Sequence, residues 1–568
     1  MKANDTTFKA LIEGVKQFMI PVYQRTYAWD PDQRKTKGMT VDKMWDDIHE
    51  LLDPEETGTH FFGSVVTMPV PSGASEVSKF VVIDGQQRLI SLSLLLTAIR
   101  NAGGELKVDE GPHIHFVANL EESFLFNRLR DGDDRYKIIP TRSDRPNYFK
   151  ILDQKDKKFD SSDRLVRAFD FFSRQVKQSL NEFKEVSEKM NFLQNLLKTL
   201  LNRLKIVDVR LDENDDPYEV FESLNYTGIQ LFNWDLVRNY ILMHYKKPEI
   251  QEEKYLSVIK EIENNIGDHA DEFLKAYLGM NGIITTSRNI YNKFKVLISD
   301  NSTSAETDFE KEIVKLTQSS EIYRKLLNPN EIEDIFVRNL IEFTSSCLKI
   351  STHYPVLMKL FKVCDEGLIS KSQLHVSLKM VASYLLRCTL KDSTRGLNNF
   401  FPPIATLIDK NPETLLRNDL TTGYGALDDN KFIEILENSD VGTNNGLVKC
   451  LLFNLEQSLN KEVTNLDRLQ LEHIMPQTLD QDWKNDLGDN WERIHETYLN
   501  KIGNLTLTAY NQELQNFAFN RKKRGENGYE NSSLKITKEL ASYEKWGEDE
   551  IKDRGHKLAE KIGRMWLI

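Results

Sequence analysis

Two points along the chain gather residues that can do chemistry. At the first, residues 79–84 form an apolar run ending in a carboxylate, Gly85 follows, and Gln86, Gln87 and Arg88 open a long helical pattern. A strand that turns sharply into a helix aims free backbone N–H groups and the positive helix end at whatever lies beyond the strand. Arg88 adds a planar cation suited to phosphate, and Asp84 could hold a metal or position a water. No G-x-x-x-x-G-K-[ST] occurs, so the segment is not a Walker A loop. A plainer reading stays open beside this one: Asp84 caps the helix and Arg88 joins a structural ion pair. Two segments keep company with it. IPVYQRTYAW supplies Pro21, Tyr23, Gln24, Arg25 and Trp29, and DPYEVFESLNYTGIQLFNWDLVRN predicts a helix ending at Asn225, a turn at Gly228 and a second helix capped by Asn233, with a purely structural helix pair as the alternative.

The second point is LEHIMPQ, where Glu472 and His473 stand side by side. IGNLTLT reads as a second strand some thirty residues on, and YNQELQNFAFNRKKRG as a helix. One His, one carboxylate and an Asn-rich helix after a strand pair are what a one-metal phosphodiesterase needs. The His takes a proton from the attacking water, and a hard Mg²⁺-like ion held by carboxylate and amide oxygens stabilises the scissile phosphate. A lone His beside a Glu is also a common structural pair. The run Arg521, Lys522, Lys523 and Arg524 is the strongest basic patch nearby. It fits contact to a nucleic-acid backbone, or else a solvated helix end complementing the dipole. His113 and His115 alternate without a third ligand and read as a surface strand.

The elements that must position these residues are of two kinds. QFMIPVYQR, HFFGSVVTMPV and KFVVID are strand-like, and KFVVID leads into a helix; residues 161–200 turn helical, with Phe183, Val186, Met190, Leu193, Leu197 and Leu200 at helix-face spacing; LKIVDVRL then returns to strand. That strand implies a first domain closing only after a helical insertion. From Trp234 to Leu390 almost everything reads as amphipathic helix, and the Gly-, Pro-, Asn- and Asp-rich stretch 391–430 reads as a linker. The expected domains are 1–245, 246–429 (helical middle and linker) and 430–568. The four cysteines, Cys347, Cys364, Cys388 and Cys450, are scattered without metal-ligand spacing and read as reduced core residues.

Taken together, IPVYQRTYAW, FFGSVV, VIDGQQRLISL and FESLNYTGIQLFNWDLVRN resemble the ParB/sulfiredoxin-like N-terminal domain of GmrSD-type (type IV) restriction endonucleases. E-H-I-x-P-Q, I-G-N-L-T-L, N-x4-N-x2-F-x2-K and G-Y-x-N-S-S resemble the HNH (His-Me finger) domain at the C-terminus of the same proteins. The resemblance implies a multidomain α+β fold, mainly helical: a ParB-like α/β domain, a helical middle, and a ββα-metal nuclease domain. It implies nucleotide binding and hydrolysis at Asp84, Gly85, Gln86, Gln87 and Arg88, with Gln24 and Arg25 as neighbours. It further implies that His473 is the general base, Glu472 a metal ligand or a residue behind one, Asn504 the amide that fixes the His-bearing loop, Asn511 the third ligand with Asn516 as its alternative, and Lys522 a phosphate contact. Ile90 and Ser91 stand where the family is commonly Thr-rich, and Glu472 stands where an Asp often precedes the HNH histidine.

The function this implies is NTP-dependent cleavage of modified double-stranded DNA, with hydroxymethylated or glucosylated cytosine as the expected mark and ATP, GTP or another NTP as the nucleotide. Mg²⁺ or Mn²⁺ is the expected metal. Competing readings are an HNH effector acting on RNA or unmodified DNA under nucleotide control, a nuclease sensing phosphorothioate DNA, and a non-catalytic binding protein. The 568 residues carry 75 Lys and Arg against 87 Asp and Glu, net −12, so attraction to a polyanion must be local. Hydrophobic residues at 40% and charged at 29% exclude a disordered chain. The N-terminal segment lacks a signal-peptide pattern, and LISLSLLLTAI is too short to span a bilayer, so no membrane association and a cytoplasmic location are expected, with a homodimer as a resting or active form.

Overall fold

The computed structural model describes residues 2–31, 40–53, 55–56, 58–70, 76–106, 114–154, 159–160, 162–212, 215, 220, 232–245, 247–301, 306–425, 427–460, 466, 468–509 and 514–568. The chain divides into two compact units, Met1–Glu261 and Ile262–Ile568.

The first unit is built on a mixed six-stranded sheet of order β1-β6-β3-β4-β2-β5, with β1 Lys2–Thr7, β2 Lys16–Met19, β3 His60–Val70, β4 Ser78–Asp84, β5 Ile138–Ile139 and β6 Leu204–Arg210. β6 is antiparallel to β1 and parallel to β3, so the last strand to arrive lies inside the sheet, after the helices Arg164–Leu180 and Val186–Asn202. β4 runs between β3, antiparallel to it, and β2, parallel to it. Out of β4 comes the helix Gln86–Glu105, buried on nearly every face. Such all-round burial is what an apolar run without a polar stripe requires. Its hydroxyls are matched inside: Ser91 Oγ lies 2.7 Å from Tyr27 Oη, and Ser93 Oγ 2.6 Å from Tyr148 Oη.

Three readings of this unit change. The helical run 161–200 is two helices, the second opened by a capping box of Glu185 and Glu188, so Phe183 falls in the connection and Val186 is exposed, while Met190, Leu193 and Leu200 are buried. Helix Asn233–Met243 has Phe232, not Asn233, at its N-cap and no capping side chain. His115 sits in an exposed turn before the helix Phe116–Leu120 rather than on a strand, and His113 lies outside the described residues. So do Asn225 and Gly228.

In the second unit, helices including Ala270–Met280, Tyr354–Asp365 and Lys371–Leu390 pack together, the last opened by a Ser370–Gln373 capping box. The stretch read as a linker carries helices Leu397–Leu407 and Pro412–Thr422, whose Leu397, Phe401, Ile404, Leu416 and Leu420 are buried. Its Pro and Gly content misled: Pro402 and Pro403 sit within a helix held by apolar packing despite the backbone bonds they forgo. Cys347 and Cys450 are disulfide-bonded, their Cα atoms 6.1 Å apart across 103 residues, because helix Asn445–Leu459 packs against the turn Phe343–Cys347; Cys364 and Cys388 are free. That pairing, which linear spacing could not reveal, corrects the reading of four reduced cysteines. The unit also holds a two-stranded antiparallel sheet, β7 Gln470–His473 with β8 Leu505–Thr508, over a core of Ile474, Met475, Trp483, Phe519, Tyr529 and Trp546.

Candidate functional site

In the first unit, Asp84 ends the interior strand β4 and Gly85 makes the turn at φ +94°. A Cβ at Gly85 would stand 3.0 Å from the Ser64 carbonyl oxygen, so both conformation and space call for glycine. Gly85, not Asp84, occupies the N-cap, and it has no side chain to bond the N–H groups of the first turn, the kind of group a bound anion meets. Asp84 and Arg88 do pair, but at 3.6 Å and with both side chains partly exposed. Arg88 Nη1 donates to the Ser64 carbonyl at 3.1 Å, while its Nε and the Gln86 Oε1 are buried without a hydrogen-bond partner.

The segment carrying Gln24 and Arg25 folds against this turn. Gln24 Nε2 donates to the Ile83 carbonyl at 2.8 Å, and Gln87 Oε1 accepts from Ala28 N–H at 2.8 Å. These two amides therefore join the segments, and the groups left to meet a ligand are Arg25, Asp84, Gln86 and Arg88. Burial lowers the Arg25 pKa, with Asp235 and Asp84 opposing the shift and Arg164 reinforcing it. Arg238 anchors the surroundings, donating to Asp235 at 2.8 Å and to the Tyr23 carbonyl at 3.3 Å. Asp235, Arg238 and Arg164 went unnamed in the sequence; the first two lie in its FNWDLVRN segment. Several guanidinium groups, an uncapped helix start and an orphaned buried amide oxygen fit an anionic group that also carries a donor, as phosphate and sugar together do.

In the second unit, β7 ends at His473, paired across the sheet with Leu505. The fully buried Asn504 clamps the residues that follow: its Oδ1 accepts from Met475 N–H at 2.7 Å and from Trp546 Nε1 at 3.1 Å, and its Nδ2 donates to the carbonyls of Met475 and Leu499 at 3.0 and 2.9 Å. Its own carbonyl accepts from Ile474 N–H at 2.9 Å. Arg554 holds the same turn from helix Glu548–Met565, donating to the carbonyls of Gly503 and Leu505 at 2.7 Å each. His473 Nε2 is buried with no hydrogen-bond partner. Burial lowers the His473 pKa, a hydrogen bond with the Asn500 side chain opposes this, and the charges of Lys522 and His495 add to it. His495, on helix Trp491–Tyr498, lies 3.0 Å through Nε2 from the Pro476 carbonyl. Neither Asn500 nor His495 was picked out from the sequence, because the turns that bring them to His473 leave no periodic signal.

The basic run is divided by burial. Lys522 and Lys523 are buried, Lys522 Nζ lying 2.6 Å from Glu472 Oε1 and Lys523 Nζ donating to the Tyr543 carbonyl at 2.9 Å. They are internal cations, so the reading of Lys522 and Lys523 as DNA phosphate contacts is corrected. Arg521, stacked 3.4 Å over the Phe517 ring, and Arg524 remain exposed. Glu472 Oε1 also accepts from Tyr529 Oη at 3.2 Å. Burial raises the Glu472 pKa, which the Lys522 charge and hydrogen bond oppose. Oε1 of Glu472 is thus held by two donors, Lys522 and Tyr529. Asn511 lies outside the described residues, and Asn516 sits in an exposed turn before helix Phe519–Arg524. Among the described residues, no group of three or more His, Cys, Asp and Glu side chains is arranged to hold a metal ion. None of the described helices is long and apolar enough to cross a membrane.

Fold and sites define a chain of two parts, an α/β unit whose strand β4 turns at Gly85 into a buried helix and a helical unit bearing a histidine on a clamped strand pair. Residues 8–242 match the GmrSD restriction endonuclease N-terminal domain and residues 427–561 the GmrSD restriction endonucleases' C-terminal domain, more than half of the sequence between them, and the chain belongs to this family. Over 324 residues it is also 25% identical to an uncharacterised protein of Methanocaldococcus jannaschii, an alignment covering 53% of this chain and 52% of that protein. The match thus spans about half the length of that curated relative.

Proposed function

We propose that the chain is a cytoplasmic type IV restriction endonuclease that uses an NTP to cleave double-stranded DNA carrying modified cytosine, hydroxymethylated or glucosylated. The observation that carries the reading is His473 itself: a ring kept toward its neutral form, with a buried unpaired Nε2, at the end of a strand clamped by Asn504. A neutral imidazole with a free nitrogen is a general base. It takes a proton from water as the water oxygen attacks phosphorus; the bond from phosphorus to one sugar oxygen breaks, and that oxygen leaves with a proton, giving a phosphomonoester and a hydroxyl end. Arg521 and Arg524 are the cations of the basic run that remain free to meet a DNA backbone. The expected Mg²⁺ or Mn²⁺ has no assigned ligand set here.

At the other site, Arg25, Arg88 and the open N–H groups of the helix start bind the phosphates of the nucleotide, and Asp84 orients the attacking water. The test is cleavage of phage DNA bearing or lacking modified cytosine, with Mg²⁺ and each NTP in turn. Cutting that requires both the modification and one NTP is the expected result. Cutting of RNA or of unmodified DNA overturns the substrate, and absence of any hydrolysis overturns the enzyme reading.

A further inference from the structure

We propose that Lys522 and Glu472 form a positioning pair that fixes His473, and that Glu472 does not ligate a metal ion; this rests on the nuclease reading of His473. An ammonium has three protons to donate. Around Lys522 Nζ stand three acceptors: Glu472 Oε1 at 2.6 Å, the His473 carbonyl at 3.0 Å and the Ile474 carbonyl at 3.2 Å. Lys522 is 1% exposed and Glu472 4%. The lysine is therefore saturated by the strand that bears the histidine and has no proton left for a phosphate.

Asn504 meets the stretch that follows His473, at Ile474 and Met475, through other groups. It serves Ile474 N–H through its carbonyl and Met475 N–H and C=O through its side chain. Between them, Lys522 and Asn504 account for the carbonyls of His473, Ile474 and Met475 and for the N–H groups of Ile474 and Met475. Glu472 supplies the countercharge that lets an ammonium sit in this core, and Tyr529 Oη supplies a second donor to the same carboxylate oxygen. Turning Glu472 toward a metal ion would leave Lys522 buried without its counterion, which is strongly unfavourable.

The test uses the full chain with Glu472→Gln, Lys522→Met and the two combined. Four quantities are measured: the unfolding midpoint in denaturant, the rate of His473 carbethoxylation by peptide mass spectrometry, Mn²⁺ affinity by electron paramagnetic resonance, and kcat and KM for DNA. The combined variant should unfold at a higher midpoint than either single variant, since neither charge is then buried alone. In it His473 should carbethoxylate faster by about threefold or more, and kcat should fall about 10²-fold at unchanged KM, the size expected of a misplaced catalytic group. Mn²⁺ affinity should stay within about twofold of the wild type, whereas a lost ligand gives about tenfold or more, and that loss would overturn the exclusion of Glu472 from the metal. Unchanged carbethoxylation together with unchanged kcat would overturn the positioning role. Should the combined variant not fold, Tyr529→Phe removes one hydrogen bond to Glu472 and leaves the ion pair: unchanged Mn²⁺ affinity supports the proposal and a weakened affinity overturns it. If the wild type cuts no nucleic acid, the nuclease reading fails, while carbethoxylation and stability still decide whether Lys522 and Glu472 hold His473 in place.

Discussion

His473 and the residues around Asp84 act through different physics, and single substitutions separate them. Burial disfavours the imidazolium of His473, so the ring is unprotonated near neutral pH and can accept a proton. His473→Ala removes the acceptor but leaves the Asn504 clamp, which is made to Met475, Ile474 and Leu499 rather than to the ring. DNA cleavage should fall by about 10²–10⁴-fold, the usual worth of a general base, with NTP hydrolysis unchanged. A gel assay beside a phosphate-release assay checks both. At the other site, Asp84→Ala or Arg88→Ala should lower NTP turnover by about tenfold or more without unfolding the chain, because the pair is partly solvent-exposed and such pairs add little stability. Turnover at the wild-type rate in both variants would make the turn a structural feature alone. Residue types and order made His473, Asn504 and the turn at Gly85 legible in the sequence. Burial was not legible: nothing in RKKR distinguishes the internal Lys522 and Lys523 from the exposed Arg521 and Arg524, since that difference arises only when Tyr529, Trp546 and Phe519 close over one side of the helix.

Elements are placed by contacts tighter than a sequence pattern can report. Helix Glu548–Met565 crosses the turn that carries Asn504 so closely that a Cβ on Gly503 would stand 2.0 Å from the Ile551 carbonyl oxygen. Gly503→Ala must push the helix away, and with it Arg554, which bonds the carbonyls on either side of Asn504. The variant should lose about 1–3 kcal/mol of stability, as overpacked sites do, and cleavage should fall with it; denaturant unfolding and the gel assay report the two effects. A second element-level consequence concerns pH. His353, at the N-cap of helix Tyr354–Asp365, is fully buried, with Nε2 3.1 Å from Thr344 Oγ1 and Nδ1 unpaired, and burial pushes its pKa from 6.5 down to about 3. Between those values the unfolded chain binds a proton at this residue that the folded chain refuses, so stability rises with pH across the window. The contribution is fully present above about pH 6.5 and is lost as pH falls, with a slope of about 1.4 kcal/mol per pH unit. Urea midpoints should therefore drop between pH 7 and pH 5, and His353→Phe should flatten that dependence. The strands around Asp84 were plain in the apolar, β-branched runs HFFGSVVTMPV and KFVVID, whereas the helix holding Pro402 and Pro403 was hidden, because packing of Phe401 and Ile404 outweighs the local preference of the prolines.

At the scale of the whole molecule, the two candidate sites fall in separate compact units, the Asp84 turn in Met1–Glu261 and His473 in Ile262–Ile568. The order of motifs along the chain carried that separation into the sequence. The disulfide between Cys347 and Cys450 was absent from it, since a pairing across 103 residues depends on how helices pack. Separate sites raise the question of control. If the proposed nuclease shares a compartment with its own genome it must be restrained, and the proposed nucleotide site is the natural place to apply the restraint. A ligand shifts a conformational equilibrium only by binding its two states unequally. If hydrolysis drives cleavage, nucleotide and its product must therefore favour different states of the chain, differing in the arrangement of the units or in oligomeric state. Amphipathic helices pack between protomers as readily as within one, so a homodimer is the simplest second state. Light scattering and sedimentation with no nucleotide, with a non-hydrolysable analogue and with diphosphate should then give at least two distinct masses or shapes, and the state that cuts DNA should be the one a single nucleotide form enriches. Arg88→Ala, by weakening the phosphate grip, should shift that enrichment to higher nucleotide concentration while leaving His473 untouched. Mass, shape and cleavage rate all indifferent to every nucleotide would break the link between the two sites even with each of them active alone.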